Sequence, residues 1–109
     1  MELDELLKFI DKEDKRLRTY YGNYPDNEKR ILARSVKLSE ELGELCEEVL
    51  AYNSLQRKEK FKKVGYENLN EEFADVLITT LLLAKAMDVD VKKALQDKIK
   101  KINKRYEKK

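Results

Sequence analysis

The chain has 109 residues, of which 42% are charged, yet its formal net charge is only +2. This length suits one domain over residues 1–109, and the balanced charge gives no reason to expect a nucleic-acid polymer or a membrane as partner. One proline and three glycines leave few turn sites for a β-rich fold, and strong helix formers predominate. We therefore expect an all-α fold.

Nothing in the sequence indicates export or membrane insertion. A lone cysteine, Cys46, cannot form an internal disulfide, which suits a reducing compartment. The first residues, MELDELLKFI, lack the basic segment and long apolar run of a signal peptide. No apolar run approaches the about 20 residues that span a bilayer. The expected location is cytoplasmic.

The first part of the chain is predicted to form two helices separated by a turn. Apolar residues at helical spacing predict a helix over residues 3–20, and the sequence GNYPDN at residues 22–27 predicts the turn. Asp26 or Asn27 then caps a long helix over residues 28–52. Its apolar residues form two neighbouring stripes, typical of a helix in a bundle. These stripes are Ile31, Leu38, Leu42, Leu45 and Val49, and Leu32, Val36, Gly43, Cys46 and Leu50.

The third predicted helix is the element on which the others must pack. Residues 53–67 show no sustained apolar period and predict a basic connection with about one helical turn. Asn68 or Asn70 then caps a helix that ends near Met87. This helix is apolar on every side and must be covered all round. The expected architecture is four-helix bundle-like, with the long second helix packed on a buried apolar third helix.

The last predicted helix begins at Asp88 or Asp90 and continues through Tyr106. Its apolar residues share one face, which we expect to point inward. This face consists of Val91, Ala94, Leu95, Ile99 and Ile102. Lysine and arginine crowd the C-terminal half, where cations favour the helix dipole. A solvated surface is the first interpretation of this basic end, and phosphate binding is the alternative.

Two short acidic stretches are the candidates for chemistry. Glu41 and Glu44 lie one turn apart on the second helix, and Glu72 and Asp75 lie one turn apart on the third. Antiparallel packing of these helices would bring four carboxylates together. Two like charges about 4 Å apart repel by about 4 kcal/mol at an effective dielectric constant of about 20. Such a cluster either takes up protons or holds cations.

The residue types favour Mg²⁺ or Mn²⁺ as the cation. All candidate ligands are carboxylate oxygens, which suit hard metals, and the chain has no histidine for a ferritin-like di-iron site. A solvated acidic face is the alternative for Glu41 and Glu44, and a dipole role is the alternative for Glu72. Asp75 has no such explanation, because it lies one turn into an almost wholly apolar helix.

The pattern Glu40-Glu41-x-x-Glu44 followed by Glu72-x-x-Asp75 resembles the signature of the MazG-like all-α nucleoside triphosphate pyrophosphohydrolases. The resemblance implies that Glu41, Glu44, Glu72 and Asp75 bind Mg²⁺. Glu40 matches the first glutamate of the motif. Glu44 or Glu40 is expected to orient or deprotonate the attacking water.

The resemblance covers residues 30–105, where Lys98, Asn103 and Arg105 are similar to the family's phosphate-binding residues. It implies hydrolysis of a nucleoside triphosphate between the α- and β-phosphates, and assembly as a homodimer or a dimer of dimers. The chain differs from the family in having no tryptophan to stack on a base and in its basic connection at residues 55–64.

Two other interpretations stay open at this point. One is a related all-α hydrolase of another pyrophosphate, such as phosphoribosyl-ATP or a nucleoside diphosphate. The other is a non-catalytic helical interaction module whose acidic residues only solvate a groove. The apolar third helix also predicts that a second copy of the chain covers Ile78 and Leu82.

Overall fold

In a computed structural model of the chain, the described residues are 1–20, 26–54 and 62–107, and they form four helices. In chain order these are α1 (Leu3–Tyr20), α2 (Asn27–Ser54), α3 (Lys62–Ala86) and α4 (Val91–Lys104). The all-α prediction is confirmed. Residues 22–25 of the predicted turn and 55–61 of the predicted connection lie outside the described ranges. Within those ranges, none of the helices combines the length and apolar character needed to cross a bilayer.

Local capping chemistry fixes two helix starts, both at predicted positions. At α2, Asp26 Oδ1 accepts a hydrogen bond from the backbone N–H of Glu28 at 2.9 Å. At α4, Asp90 Oδ1 accepts one from the backbone N–H of Lys93 at 3.0 Å. Each carboxylate satisfies an N–H that has no partner inside its own helix. Between α3 and α4, Asp88 adopts a φ of 55°, a left-handed conformation in which aspartate is enriched.

The predicted connection over residues 53–67 is too long. Helix α3 begins several residues before Asn68 and Asn70, the two predicted caps. An aromatic contact accompanies this early start, because the ring of Tyr66 lies edge-on to that of Tyr52 with centroids 6.1 Å apart. Edge-to-face pairs of this kind contribute about 1 kcal/mol beyond their burial. Local periodicity cannot reveal a contact between residues so far apart in sequence.

Helices α2 and α3 pack closely and run antiparallel, which confirms the predicted pairing of the second and third helices. Their contacts join residues whose numbers rise along α2 and fall along α3. These contacts include Arg34 with Leu82, Glu41 with Glu72 and Asp75, and Tyr52 with Tyr66. Helix α1 packs against α3. The helices α1, α2 and α3 therefore form one body, and its α2–α3 interface carries the acidic residues.

The interior of this body is unusually polar. Among the residues that the structure describes, the buried apolar ones are Ile10, Leu82 and Ala86. The buried polar or charged ones among them are Asp14, Arg34, Glu41 and Thr79. Buried charges need partners, and Arg34 Nη2 lies 2.7 Å from Asp14 Oδ1. Directional polar contacts therefore contribute much of what defines the packing.

Several apolar side chains that were predicted to be buried are exposed. On α3, Phe73 is 51% exposed and Leu77 is 62% exposed. The prediction that a second copy covers Leu82 is wrong, because Leu82 is only 8% exposed within the single chain, and Ile78 is half-buried. Leu82 is therefore covered within the single chain, where α1 and α2 both pack on α3.

The inner face predicted for α4 is also exposed in the single chain. Leu95, Ile99 and Ile102 are exposed, and only Val91, in the first turn, is half-buried. That first turn is tied to α1 by an ion pair of 3.3 Å between Lys92 and Asp4. On α2, the second predicted stripe is exposed as well. Its exposed members are Leu32, Val36, Cys46 and Leu50.

Candidate metal centre

Three carboxylates converge where α2 lies against α3. Glu41, Glu72 and Asp75 each offer an oxygen, and these oxygens lie within 4.8 Å of one another. Glu41 comes from α2, and the other two come from successive turns of α3. Glu41 is buried, Glu72 is half-buried and Asp75 is exposed. The spacing of the two acidic stretches predicted this convergence for all three residues.

Two oxygens of this cluster are buried and accept no hydrogen bond within the described part of the chain. They are Oε2 of Glu41 and Oε2 of Glu72. A buried acceptor without a partner is costly, and more so when it is charged. Oxygens on opposite sides of a Mg²⁺ ion lie about 4.2 Å apart, since each Mg–O distance is about 2.1 Å. The cluster therefore fits a hard divalent cation with little side-chain movement.

The pKa of the Glu72 carboxyl is raised above its usual range. Desolvation is the largest cause, and the negative charges of Glu44, Asp75 and Glu41 follow in that order. A side-chain hydrogen bond between Glu72 and Glu44 acts in the same direction, because it requires a proton. Glu72 therefore favours uptake of a proton when no cation neutralises the surrounding charges.

A basic side chain that sequence reasoning missed lies at the edge of the cluster. Lys37 Nζ is 3.1 Å from Glu41 Oε1 and 3.8 Å from Glu40 Oε2. The pKa of Lys37 is raised, first by the hydrogen bond to Glu41 and then by the charge of Glu41, with smaller contributions from Glu40 and Glu44. The signal in the sequence was the helical spacing, since Lys37 precedes Glu40 by three residues and Glu41 by four.

The two candidate bases occupy different positions. Glu44 is exposed but close enough to Glu72 to share a hydrogen bond. Glu40 is also exposed, and its carboxylate faces Lys37 rather than the three clustered acids. Glu44 is therefore the candidate that lies beside the cluster.

The predicted phosphate-binding residues lie on or just after α4. Lys98, Asn103 and Arg105 are exposed. Within residues 1–20, 26–54 and 62–107, no hydrogen bond or ion pair joins their side chains to the acidic cluster. Within the described part of the single chain, no polar contact therefore links these three residues to the candidate metal centre.

Comparison with known proteins identifies the family. The profile described as MazG nucleotide pyrophosphohydrolase domain matches residues 29–109. The chain belongs to the MazG family. The match includes all but the first two residues of α2, and the whole of α3 and α4, and with them both acidic stretches of the MazG domain. The resemblance predicted from those stretches is confirmed.

The chain is also similar to a curated relative over most of the length of both proteins. The chain is 33% identical over 104 residues to a Bacillus subtilis (strain 168) protein named "Uncharacterized protein YpjD". The aligned region covers 94% of this chain and 87% of that relative. No solved structure gives a significant match. Helix α1 precedes the MazG match but packs on α3, so it supports the helix that carries Glu72 and Asp75.

Proposed function

We propose that this MazG-family protein is a Mg²⁺-dependent nucleotide pyrophosphohydrolase. It cleaves a nucleoside triphosphate between the α- and β-phosphates and releases a nucleoside monophosphate and pyrophosphate. The observation that carries the proposal is the convergence of Glu41, Glu72 and Asp75, two of which bear buried oxygens that accept no hydrogen bond within the described residues. The description of the matching family supports the reaction class.

Glu41, Glu72 and Asp75 would hold the cation, and Glu44 would complete the carboxylate set from the solvent side. A bound divalent cation neutralises charge on phosphate oxygens and lowers the pKa of bound water. Glu44, which lies beside Glu72 and is open to solvent, would orient the attacking water and accept its proton. Glu40 is the second candidate for that proton, although its carboxylate faces Lys37.

Cations of the chain would bind the departing phosphates. The ammonium of Lys37 lies at the cluster edge and is placed to donate charge-assisted hydrogen bonds to a phosphate oxygen. Lys98, Asn103 and Arg105 would serve the same purpose at the site of a second copy, since within the described chain they make no polar contact with their own cluster.

We also propose that the protein is a homodimer or a dimer of dimers. Phe73 and Leu77 are more than half exposed on α3, and α4 exposes most of its apolar face. Large exposed apolar side chains are typical of interfaces between subunits. An interface with two-fold symmetry would bury these residues on both protomers.

The test of the reaction is a substrate panel assayed for both pyrophosphate and orthophosphate release at fixed Mg²⁺ concentration, because hydrolysis of a nucleoside diphosphate releases orthophosphate. The panel contains the nucleoside triphosphates, nucleoside diphosphates and phosphoribosyl-ATP. We expect pyrophosphate and a monophosphate from at least one triphosphate, with release abolished by EDTA. Activity confined to diphosphates or to phosphoribosyl-ATP would replace the proposed substrate class. If no member of the panel were hydrolysed and Mg²⁺ gave no thermal stabilisation, the results would favour a non-catalytic helical interaction module.

A further inference from the structure

One guanidinium group contacts all three helices of the body. Arg34 belongs to α2 and is 8% exposed. Its Nη2 lies 2.7 Å from Asp14 Oδ1 on α1. Its Nη1 donates a hydrogen bond of 2.9 Å to the backbone carbonyl oxygen of Leu82 on α3. Asp14 is 4% exposed, so this ion pair is almost wholly removed from water.

The hydrogen bond between Arg34 and Leu82 lies the same number of residues from the acidic cluster on α2 as on α3. Arg34 precedes Glu41 by seven residues on α2, and Leu82 follows Asp75 by seven residues on antiparallel α3. Seven residues correspond to about two helical turns, or about 10.5 Å. The hydrogen bond from Arg34 to Leu82 and the approach of Glu41 to Asp75 are therefore two contacts of one register.

We propose that Arg34 is a positioning residue that fixes the register of α2 against α3 and thereby sets the spacing of the Glu41, Glu72 and Asp75 carboxylates. The inference rests on the proposed metal site. A slip of one residue moves a helix by about 1.5 Å and turns its side chains by about 100°. Such a slip would separate Glu41 from its two partners on α3.

Apolar packing alone specifies this register weakly. The buried apolar residues of α2 and α3 within the described chain are only Leu82 and Ala86. Burial of apolar surface is non-directional, whereas the planar fork of an arginine binds its acceptors in fixed directions. The ion pair with Asp14 holds that fork in place from α1.

The experiment replaces the buried pair with apolar side chains of similar size, Asp14→Leu together with Arg34→Met. Replacing a buried ion pair in this way is often neutral or stabilising. We therefore expect a melting temperature near or above that of the wild type. We expect the dissociation constant for Mn²⁺, measured by electron paramagnetic resonance on the full chain, to rise about tenfold or more, as when groups that orient metal ligands are lost.

The matched control is Ile10→Ala, which creates a cavity at a buried position of α1 without removing a polar contact. This variant should melt at a lower temperature and bind Mn²⁺ as tightly as the wild type while folded. If Ile10→Ala weakened Mn²⁺ binding as much as the double variant, Arg34 would act through stability alone and the inference would be overturned.

The remaining outcomes separate this inference from the proposed metal site. If the wild-type protein bound no Mn²⁺, both the proposed metal site and the role of Arg34 would be overturned. Wild-type binding with an unchanged affinity in the folded double variant would overturn only the role of Arg34. If the double variant does not fold, Arg34→Lys takes its place, because lysine keeps the charge and loses the planar fork. Weaker Mn²⁺ binding by Arg34→Lys supports the inference, and unchanged binding contradicts it.

Discussion

The carboxylates of Glu41 and Asp75 meet across the α2–α3 interface, and with Glu72 they bring ligand oxygens within 4.8 Å of one another. The two residues differ in access to solvent, since Glu41 is 7% exposed and Asp75 is an exposed residue. The carboxylate of Glu41 is therefore buried in the interface, while that of Asp75 is accessible to solvent. This asymmetry gives a cation a route to the buried oxygens from the side of Asp75.

Removing either of these acids should abolish the reaction and leave the fold intact. We expect Glu41→Gln and Asp75→Asn to lower Mg²⁺-dependent pyrophosphate release by about 100-fold or more, since even groups that only orient ligands are worth about 10–100-fold. Helix content, followed by circular dichroism, should not change. The matched control is Glu47→Gln, an exposed acid on the same helix. Full activity in Asp75→Asn would remove this residue from the site.

The raised pKa of Glu72 predicts how the stability of the metal-free protein depends on pH. Because the pKa is higher in the folded protein, the folded protein binds this proton more tightly than the unfolded chain does. The stabilising contribution is complete below the unfolded-state pKa of glutamate, about 4.3, and is lost as pH rises through the raised pKa. In EDTA, we therefore expect Glu72→Gln to melt progressively higher than the wild type as pH rises through this window.

Saturating Mg²⁺ should reverse that difference. Metal ligands must be deprotonated, so binding stabilises the wild type increasingly as pH rises. The melting temperature of Glu72→Gln should respond weakly to the ion. A parallel pH dependence of the two proteins in EDTA would show that Glu72 is not protonated more readily in the folded state.

Lys37 should compete with the metal for Glu41. Its ammonium lies 3.1 Å from Glu41 Oε1 and is largely exposed, so the pair contributes only about 0.5 kcal/mol to stability. We expect Lys37→Met to melt slightly lower than the wild type in EDTA and to gain more from Mg²⁺, because a positive charge has left the site. Thermal shift at increasing Mg²⁺ measures both effects. Lys29→Met, another exposed lysine of α2, should leave the response to Mg²⁺ unchanged.

The sequence predicted the parts of the fold that depend on local chemistry or on strong periodicity. The caps Asp26 and Asp90 are local, and the two acidic stretches lie on helices whose pairing was predicted because the third helix, apolar on every side, must be covered by its neighbours. The covered side of α3 could not be predicted, because apolar residues such as Leu77 and Leu82 occur all round that helix and do not distinguish its faces.

Contacts between charged residues that are far apart in the sequence could not be predicted either. Asp14 lies in the run DKEDKRLR, which has the composition of a solvated surface, yet it is buried against Arg34. Pairing of that kind depends on tertiary placement and leaves no local signal. Lys37 is different, because its helical spacing from Glu40 and Glu41 is visible in the sequence. That spacing predicts the lysine ammonium group beside these two acids.

The exposed side of α3 predicts how the proposed subunit interface can be broken. Leu77 is 62% exposed, and a charge at this position would be desolvated by a partner subunit. We expect Leu77→Lys to reduce the mass measured by multi-angle light scattering to that of one chain, 12.9 kDa, while the wild type has twice that mass or more. Thr19→Lys, at an exposed position of α1, is the control and should keep the wild-type mass. A wild-type monomer with full activity would contradict the dimer and any site shared between subunits.

We propose above all that the acidic cluster supports cleavage of a nucleoside triphosphate between its α- and β-phosphates. The most direct measurement is ³¹P nuclear magnetic resonance of such a reaction in Mg²⁺, with wild-type protein and Asp75→Asn compared at equal concentration. We predict that the wild type produces pyrophosphate and monophosphate signals in equal amounts and that Asp75→Asn leaves the triphosphate intact. Orthophosphate with a nucleoside diphosphate, or the same products at the same rate from Asp75→Asn, would contradict the claim.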